Sequence, residues 1–287
     1  MYGMKLCLAA SGGFGKTEEE QIRLFREVGF EGFFTGWKDL RQLKSARKTA
    51  DETGMLYQSV HAPFNTINTI WLADDTAGDE TIAMLTRCLR DCAEVSVPIM
   101  VSHAFIGFKD HTPTQAGIDR FGKLVKEAEK LGVSIALENT EGEEYLYALM
   151  EAFRQEKAVG FCLDTGHEMC YNRSQDLLAR YGDRLIATHV NDNLGIKDEG
   201  GEITWLDDLH LLPYDGIADW EGFARRLAGC GYAGPLTFEL NRQSKPGRHE
   251  NDPYDRMSPE DYITLAYMRA CRVAASVLRA RAAADSK

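Results

Sequence analysis

Residues 161–170 read FCLDTGHEMC. Together with Val159 and Gly160 the opening of this stretch has the short apolar run of a buried strand, yet it ends on Asp164, with His167 three residues on. Desolvating a carboxylate is expensive unless a partner or a metal compensates. The fold therefore turns on whether other strands bring groups to the same place that answer Asp164.

Seven further runs have the same character: KLCLAA (5–10), GFFTG (32–36), LYQSVHA (56–62), IMVSHAF (99–105), SIALENT (134–140), LIATHVND (185–192) and PLTFEL (235–240). Each is short, apolar and bounded by Gly, Pro, Asn or Asp, as strands are. Segments with apolar residues at three- and four-residue spacing alternate with them, at 18–30, 40–54, 80–95, 117–132, 144–155, 176–182 and 221–232, and a long one closes the chain at 261–284. Eight strands in regular alternation with helices predict an α/β fold, a (β/α)8 TIM barrel in one domain spanning 1–287. A doubly wound open sheet is the structural alternative. One long break, from Asn193 to about Asp219, is of the size that usually carries function.

Composition agrees with a globular enzyme-sized chain. A hydrophobic content of 44% and a charged content of 27% over 287 residues allow a core without disulfides. Seven cysteines, an odd number scattered through predicted core elements, suit a reducing cytosol, and the N-terminus reads as a poor signal peptide, so a cytoplasmic location is expected. No apolar stretch of membrane-spanning length occurs, and a net charge of −11 speaks against an extended nucleic-acid surface. A small-molecule partner is expected; assembly into a homo-oligomer is left open.

Side chains alternate faces along a strand. Beneath His61 lies Ser59, beneath His103 Val101, beneath Glu138 Ala136, beneath Asp164 Cys162, beneath His189 Ala187 and beneath Glu239 Thr237. These supports are small or medium-sized, whereas Val60, Leu137, Leu163 and Phe238 face the helices. Six successive strands thus deliver a His, Asp or Glu to the C-terminal end, where barrel active sites sit. One such residue alone reads as a satisfied core histidine or a helix cap. Six in one cavity repel one another unless a cation is present, so Glu138, Asp164, His189 and Glu239 are expected to ligate a divalent metal. Three carboxylates and an imidazole suit Mn²⁺ or Zn²⁺ first, then Mg²⁺ or Co²⁺.

The stretches SVHAPF, IALENT, LDTGH, THVNDN, DLHLLPYDG followed by IADW, and TFELN resemble, in order and over nearly the whole chain, the xylose-isomerase-like barrel superfamily of sugar phosphate isomerases and epimerases. The resemblance implies a metal-dependent isomerase or epimerase acting on a sugar, a sugar phosphate or a polyol through a metal-bound enediolate. It implies that Glu138 and Glu239 both bind the metal and exchange the proton, that Asp164 and His189 complete the metal shell, and that His167 binds a substrate oxygen. His61, His103 and His210 join His167 as substrate-binding candidates. An arginine-bearing segment expected after His189 in a ketose 3-epimerase is absent, and Lys197 is the candidate to replace it.

The same superfamily includes three-zinc abasic-site endonucleases. His61, His103, Glu138, Asp164, His167, His189, Asp208, His210 and Glu239 fall where a full set of their ligands is expected. That reading stands second because of the acidic charge and the lack of a basic, aromatic-interleaved loop. A non-catalytic, metal-dependent sugar-binding protein is a third reading. ASGGFGKT (10–17) mimics a phosphate loop, but Glu18 to Glu20 open the following helix and would repel a triphosphate, leaving Lys16 to reach the barrel mouth. Trp37, Phe64, Trp71, Phe105 and Trp205 are candidates to cover a sugar face, and Arg242 and Arg248 read as solvated.

Overall fold

A computed structural model of the chain describes residues 3–10, 14–73, 75–108, 112–196 and 202–285. Its eight strands are β1 (Leu6–Ala10), β2 (Gly32–Gly36), β3 (Leu56–His61), β4 (Ile99–His103), β5 (Ser134–Glu138), β6 (Val159–Asp164), β7 (Leu185–His189) and β8 (Leu236–Phe238). All pairings are parallel and the spatial order runs β7-β6-β5-β4-β3-β2-β1-β8. Neighbours in sequence are neighbours in space, with none of the order reversal a doubly wound sheet requires. Just past the named strand ends, Val190 pairs with Phe238, Val190 N donating to Thr237 O at 2.7 Å, and this closes β7 onto β8. The result is a (β/α)8 barrel.

The connecting helices are α1 (Glu18–Val28), α2 (Leu40–Thr53), α3 (Asp75–Glu94), α4 (Gln115–Leu131), α5 (Glu143–Ala152), α6 (Thr165–Cys170), α7 (Leu177–Tyr181), α8 (Trp220–Gly229) and α9 (Pro259–Asp285). Their ends follow local chemistry. Thr17 caps α1 in a reciprocal box with Glu20, and Gly54 and Gly132 close α2 and α4 in the left-handed conformation. Lys16, expected at the barrel mouth, instead pairs with Glu260 at the start of α9 at 2.7 Å.

Strand alternation divides the apolar residues into two bodies. Val101, Ala136, Cys162 and Ala187 form a small cluster inside the barrel, while Val60, Leu137, Leu163 and Phe238 belong to the large core between strands and helices. Register staggers the inner column. His103 lies level with Glu138 and Glu138 with Cys162, so Asp164 stands two residues higher, level with His189. Small residues low in the barrel and a stagger toward β7 leave the polar strand ends gathered around one cavity.

Asp192 anchors both ends of the long connection from β7 to α8. Asp192, fully buried, accepts from Asn193 N (2.8 Å) and Ala218 N (3.0 Å) on one oxygen and from Tyr214 N (2.8 Å) and Trp220 Nε1 (3.2 Å) on the other. An antiparallel bridge from Asp192 to Leu211 folds the segment back over the barrel. This places Asp208 and His210 at the mouth, with His210 at φ 49°, a backbone strain that is tolerated where the surroundings enforce it.

Candidate metal centre

Asp164 meets two neutral partners before any ion. Its Oδ1 accepts from His167 N at 2.7 Å, capping α6, and its Oδ2 accepts from Asn191 Nδ2 at 2.9 Å. Asn191 packs so closely on the helix start that a Cβ on Gly166 would stand 2.0 Å from its Oδ1, so this position requires glycine. The main chain of Asp164 is pinned as well, its N–H donating to Asn139 Oδ1 (2.8 Å) and its carbonyl accepting from Asn139 Nδ2 (2.9 Å). Burial nevertheless raises the Asp164 carboxyl above the ordinary range, only partly offset by His167 and His210, and nearby Glu138 and Glu239 push it further.

Those two carboxylates converge on a single nitrogen. Glu138 Oε1 and Glu239 Oε2 lie 2.8 and 3.0 Å from His189 Nδ1. Burial opposes ionisation of Glu138, but the His189 charge and contacts from His103, His189 and His61 hold it well below its usual value. Glu239 is likewise lowered, to about 2, with His189 outweighing burial. His189 in turn is raised far above a normal imidazole, the two carboxylates overcoming its burial. Phe34 stacks on the other side of this ring at 4.5 Å and 12°.

Two further sets flank this centre. His61 Nε2 and His103 Nε2 lie 3.1 and 3.2 Å from Glu138 Oε2. His210 Nε2 lies 2.9 Å, and His167 Nε2 3.5 Å, from the Asp208 carboxylate, which Lys245 Nζ also reaches at 3.1 Å. Although burial disfavours the charged ring, Asp208 brings His210 up to about 9. Phe64 stacks on His103 at 4.5 Å and Tyr171 on His167 at 4.9 Å, fixing both rings.

The expected ligands Glu138, Asp164, His189 and Glu239 thus come together, each offering a donor atom within 4.8 Å of the others. The donor set fits a divalent cation: three carboxylates share a small, largely buried space that calls for compensating positive charge, and His189 Nδ1 faces two of them at 2.8 and 3.0 Å. Cys162 Sγ lies within reach of Glu138 and His189, but burial raises its thiol, which makes it a poor ligand beside the carboxylates. The group can hold a metal, and the donor chemistry leaves Mn²⁺, Zn²⁺, Mg²⁺ and Co²⁺ all admissible.

Residues 22–259 match the xylose isomerase-like TIM barrel family. The chain belongs to it. It is also 36% identical over 157 residues to the uncharacterized protein y4fM of Sinorhizobium fredii (strain NBRC 101917 / NGR234), a match that covers 52% of this chain and 43% of that protein, so this chain spans less than half of its relative. Among solved structures it resembles the 3-keto-D-glucoside 4-epimerase YcjR from E. coli in its apo form (19% identity, TM-score 0.65, covering 93% of this chain and all of that one). It also resembles the IolI protein with a bound zinc atom (18% identity, TM-score 0.73, covering 96% and 99%). At such identities these two likenesses establish the barrel fold.

Within this family barrel, the substrate-binding candidates His61, His103, His167 and His210 all reach the chamber above the candidate metal centre, a cavity of about 310 Å³. Lys197 lies outside the described residues, as do His111 and part of the phosphate-loop mimic. Of the five aromatics, Phe64 and Trp205 line the chamber and Trp37 an adjoining cavity. Trp71 and Phe105 are buried, Trp71 donating to Ala104 O and Phe105 stacking on Tyr145, so their role is packing. Arg242 and Arg248, read as solvated, are instead bound to main-chain carbonyls of Met257 and Leu206. Asn139, Asn191, Phe34, Tyr171 and Lys245 were not singled out from the sequence; the amides directly following strand ends in IALENT and THVNDN were the available signal for the first two.

Proposed function

We propose that this chain is a divalent-metal-dependent sugar isomerase or epimerase, a single-domain cytosolic enzyme that moves a proton at the carbon beside a carbonyl. The observation that carries this reading is the convergence of Glu138, at the end of β5, and Glu239, just past β8, on His189 Nδ1 at 2.8 and 3.0 Å beneath a small-molecule-sized chamber. Two carboxylates from separated strands, facing one substrate, are what removal and return of a proton on opposite faces requires. A divalent cation held by Glu138, Asp164, His189 and Glu239 supplies positive charge to the oxygens on which negative charge develops.

The residues divide the work. Glu239, whose side chain is 30% exposed against 1% for Glu138, takes the proton from the substrate carbon, and the electron pair moves to the carbonyl oxygen to form an enediolate. Glu138 returns a proton to the other face, with the imidazoles of His61 and His103 at its Oε2 to pass one on. His167 and His210, steadied by Asp208, hold substrate hydroxyls. Similarity of fold to a 3-keto-D-glucoside 4-epimerase supports the class of chemistry by analogy. In D₂O the metal-loaded protein should place deuterium beside the carbonyl of a productive ketose, and Glu138→Gln and Glu239→Gln should each abolish net epimerisation even when excess metal brings them to the wild-type metal content. Wild-type turnover in either metal-loaded variant would end the two-carboxylate scheme.

One observation favours a second reading, a three-metal abasic-site nuclease. His61, His103 and Glu138 form one compact donor group, and Asp164, His167 and His210 form another, on either side of the four-residue centre. That protein would carry about three metals and nick an abasic duplex with steep salt dependence. A net charge of −11 weighs against it. One metal without nicking removes this reading; three metals with incision would replace the first with it.

A further inference from the structure

Among the described residues that line the chamber, Lys245 is the only lysine or arginine, and it stands among Glu138, Glu141, Asp208 and Glu239. A lysine so placed would ordinarily anchor an anionic group of a ligand. This one is already in use. Its Nζ donates to Trp205 O at 2.6 Å and to Asp208 Oδ2 at 3.1 Å, and it lies 5.4 Å from the centre of the Trp205 ring.

Local sequence puts the ammonium there. Residues 245–248 read KPGR, a tight turn in which Arg248 N donates to Lys245 O at 2.9 Å and Gly247, at φ 72°, supplies the left-handed residue that the third position requires. The turn brings both of its cations to one stretch of the β7–α8 connection: Arg248 Nη1 donates to Leu206 O at 3.1 Å, and Lys245 takes Trp205 and Asp208 on either side. Two groups depend on the Lys245 contact. Trp205 is 55% exposed although it lines the chamber, so packing does little to hold its ring. Asp208 is bound through one oxygen only. Its Oδ2 meets both His210 Nε2 (2.9 Å) and Lys245, while its Oδ1 is buried without a hydrogen-bond partner among the described residues, 3.5 Å from His167 Nε2. Without the ammonium this carboxylate is free to pivot about His210, and the placing of both imidazoles goes with it.

We propose that Lys245 is a positioning residue of the chamber, a latch from the turn after β8 that keeps Trp205 over the chamber and Asp208 between His167 and His210, so that both imidazoles meet the substrate in one orientation. The inference rests on the proton-transfer reading above and adds the group that steadies its hydroxyl-holding histidines.

Lys245→Met keeps the apolar stem and removes the ammonium, whereas Lys245→Arg keeps the charge. Two measurements need no substrate. The emission of Trp205, taken as the difference between each protein and its Trp205→Phe counterpart, should be quenched by acrylamide about twofold more readily in Lys245→Met. The ¹⁵N ring signals of His167 and His210 should both move in that variant while those of exposed His249 stay in place, and Lys245→Arg should return each observable toward wild type. For the metal-loaded protein and the ketose that exchanges fastest in D₂O, KM should rise about tenfold in Lys245→Met with kcat within about threefold of wild type. Unchanged quenching together with unchanged imidazole signals in Lys245→Met overturns the assignment, whatever is turned over. So does a KM defect confined to ketose phosphates, which would make the ammonium an anchor for a substrate anion. A wild-type protein that exchanges no ketose removes the proton-transfer reading, and the two spectroscopic measurements then still decide the role of Lys245.

Discussion

Replacing Asn139 by alanine removes a side chain that holds Asp164 without touching the site cavity. The carboxamide is fully buried, donates to Asp164 O (2.9 Å) and Asn172 Oδ1 (3.0 Å), and accepts from Asp164 N (2.8 Å). The variant strands the N–H and carbonyl of Asp164 in the interior, at about 1–3 kcal/mol each, so a loss of about 2–6 kcal/mol is expected. At about 2–4 °C per kcal/mol for chains of comparable size, the melting temperature should fall by about 4–24 °C. Calorimetric melts in chelator and in saturating Mn²⁺ then separate position from stability. A ligand at about 100 times its Kd stabilises a protein by about 2.7 kcal/mol, and that metal-dependent gain should shrink in Asn139→Ala because Asp164 is no longer aimed. A melting temperature within about 2 °C of wild type with an undiminished gain from metal would show that Asn139 does not aim Asp164.

Other expectations follow from single contacts. Asp164→Asn and His189→Asn should purify with reduced metal content and reduced thermal stability, both partly restored by excess metal; full occupancy measured by elemental analysis would remove that residue from the ligand set. Arg226 forms a two-pronged pair with buried Glu168 at 2.7 and 2.9 Å, tying α6 to α8. Arg226→Leu should therefore cost about 3 kcal/mol in urea unfolding, and Glu168→Leu in the same chain should recover part of it, whereas additive losses would contradict the pairing. All seven cysteines are free, five of them buried, so alkylation of the native protein followed by mass spectrometry should mark Cys230 and Cys271 first. Early labelling of Cys7, whose thiol burial pushes up to about 12, would contradict its placement.

The barrel was legible because its strands are short apolar runs with clear punctuation, and because a period of two assigns Val101, Ala136, Cys162 and Ala187 to the interior and Leu137, Leu163 and Phe238 to the outer core. The candidate site was legible for the same reason: an ionisable residue two places above a small inward one points into the mouth. What the sequence concealed depends on three-dimensional neighbours. Helix α6 is only six residues long, too short to show a period, and it is capped by Asp164, the residue that also looks inward. Asn139 and Asn191 act across strands, and nothing local distinguishes them from turn asparagines. Arg248 and Lys245 follow β8 in a polar stretch, and the carbonyls and carboxylate that bind them come from the segment near Trp205 to Asp208, some forty residues earlier in the chain. Among the described residues no helix is long and apolar enough to cross a membrane.

The place where the cation binds decides whether these four side chains form its site. A crystal of the protein grown with Mn²⁺ and measured at the manganese absorption edge should show an anomalous peak bonded to Glu138, Asp164, His189 and Glu239, and the peak should vanish in a crystal of Asp164→Asn. An active, metal-loaded protein whose anomalous signal lies away from all four side chains would contradict it.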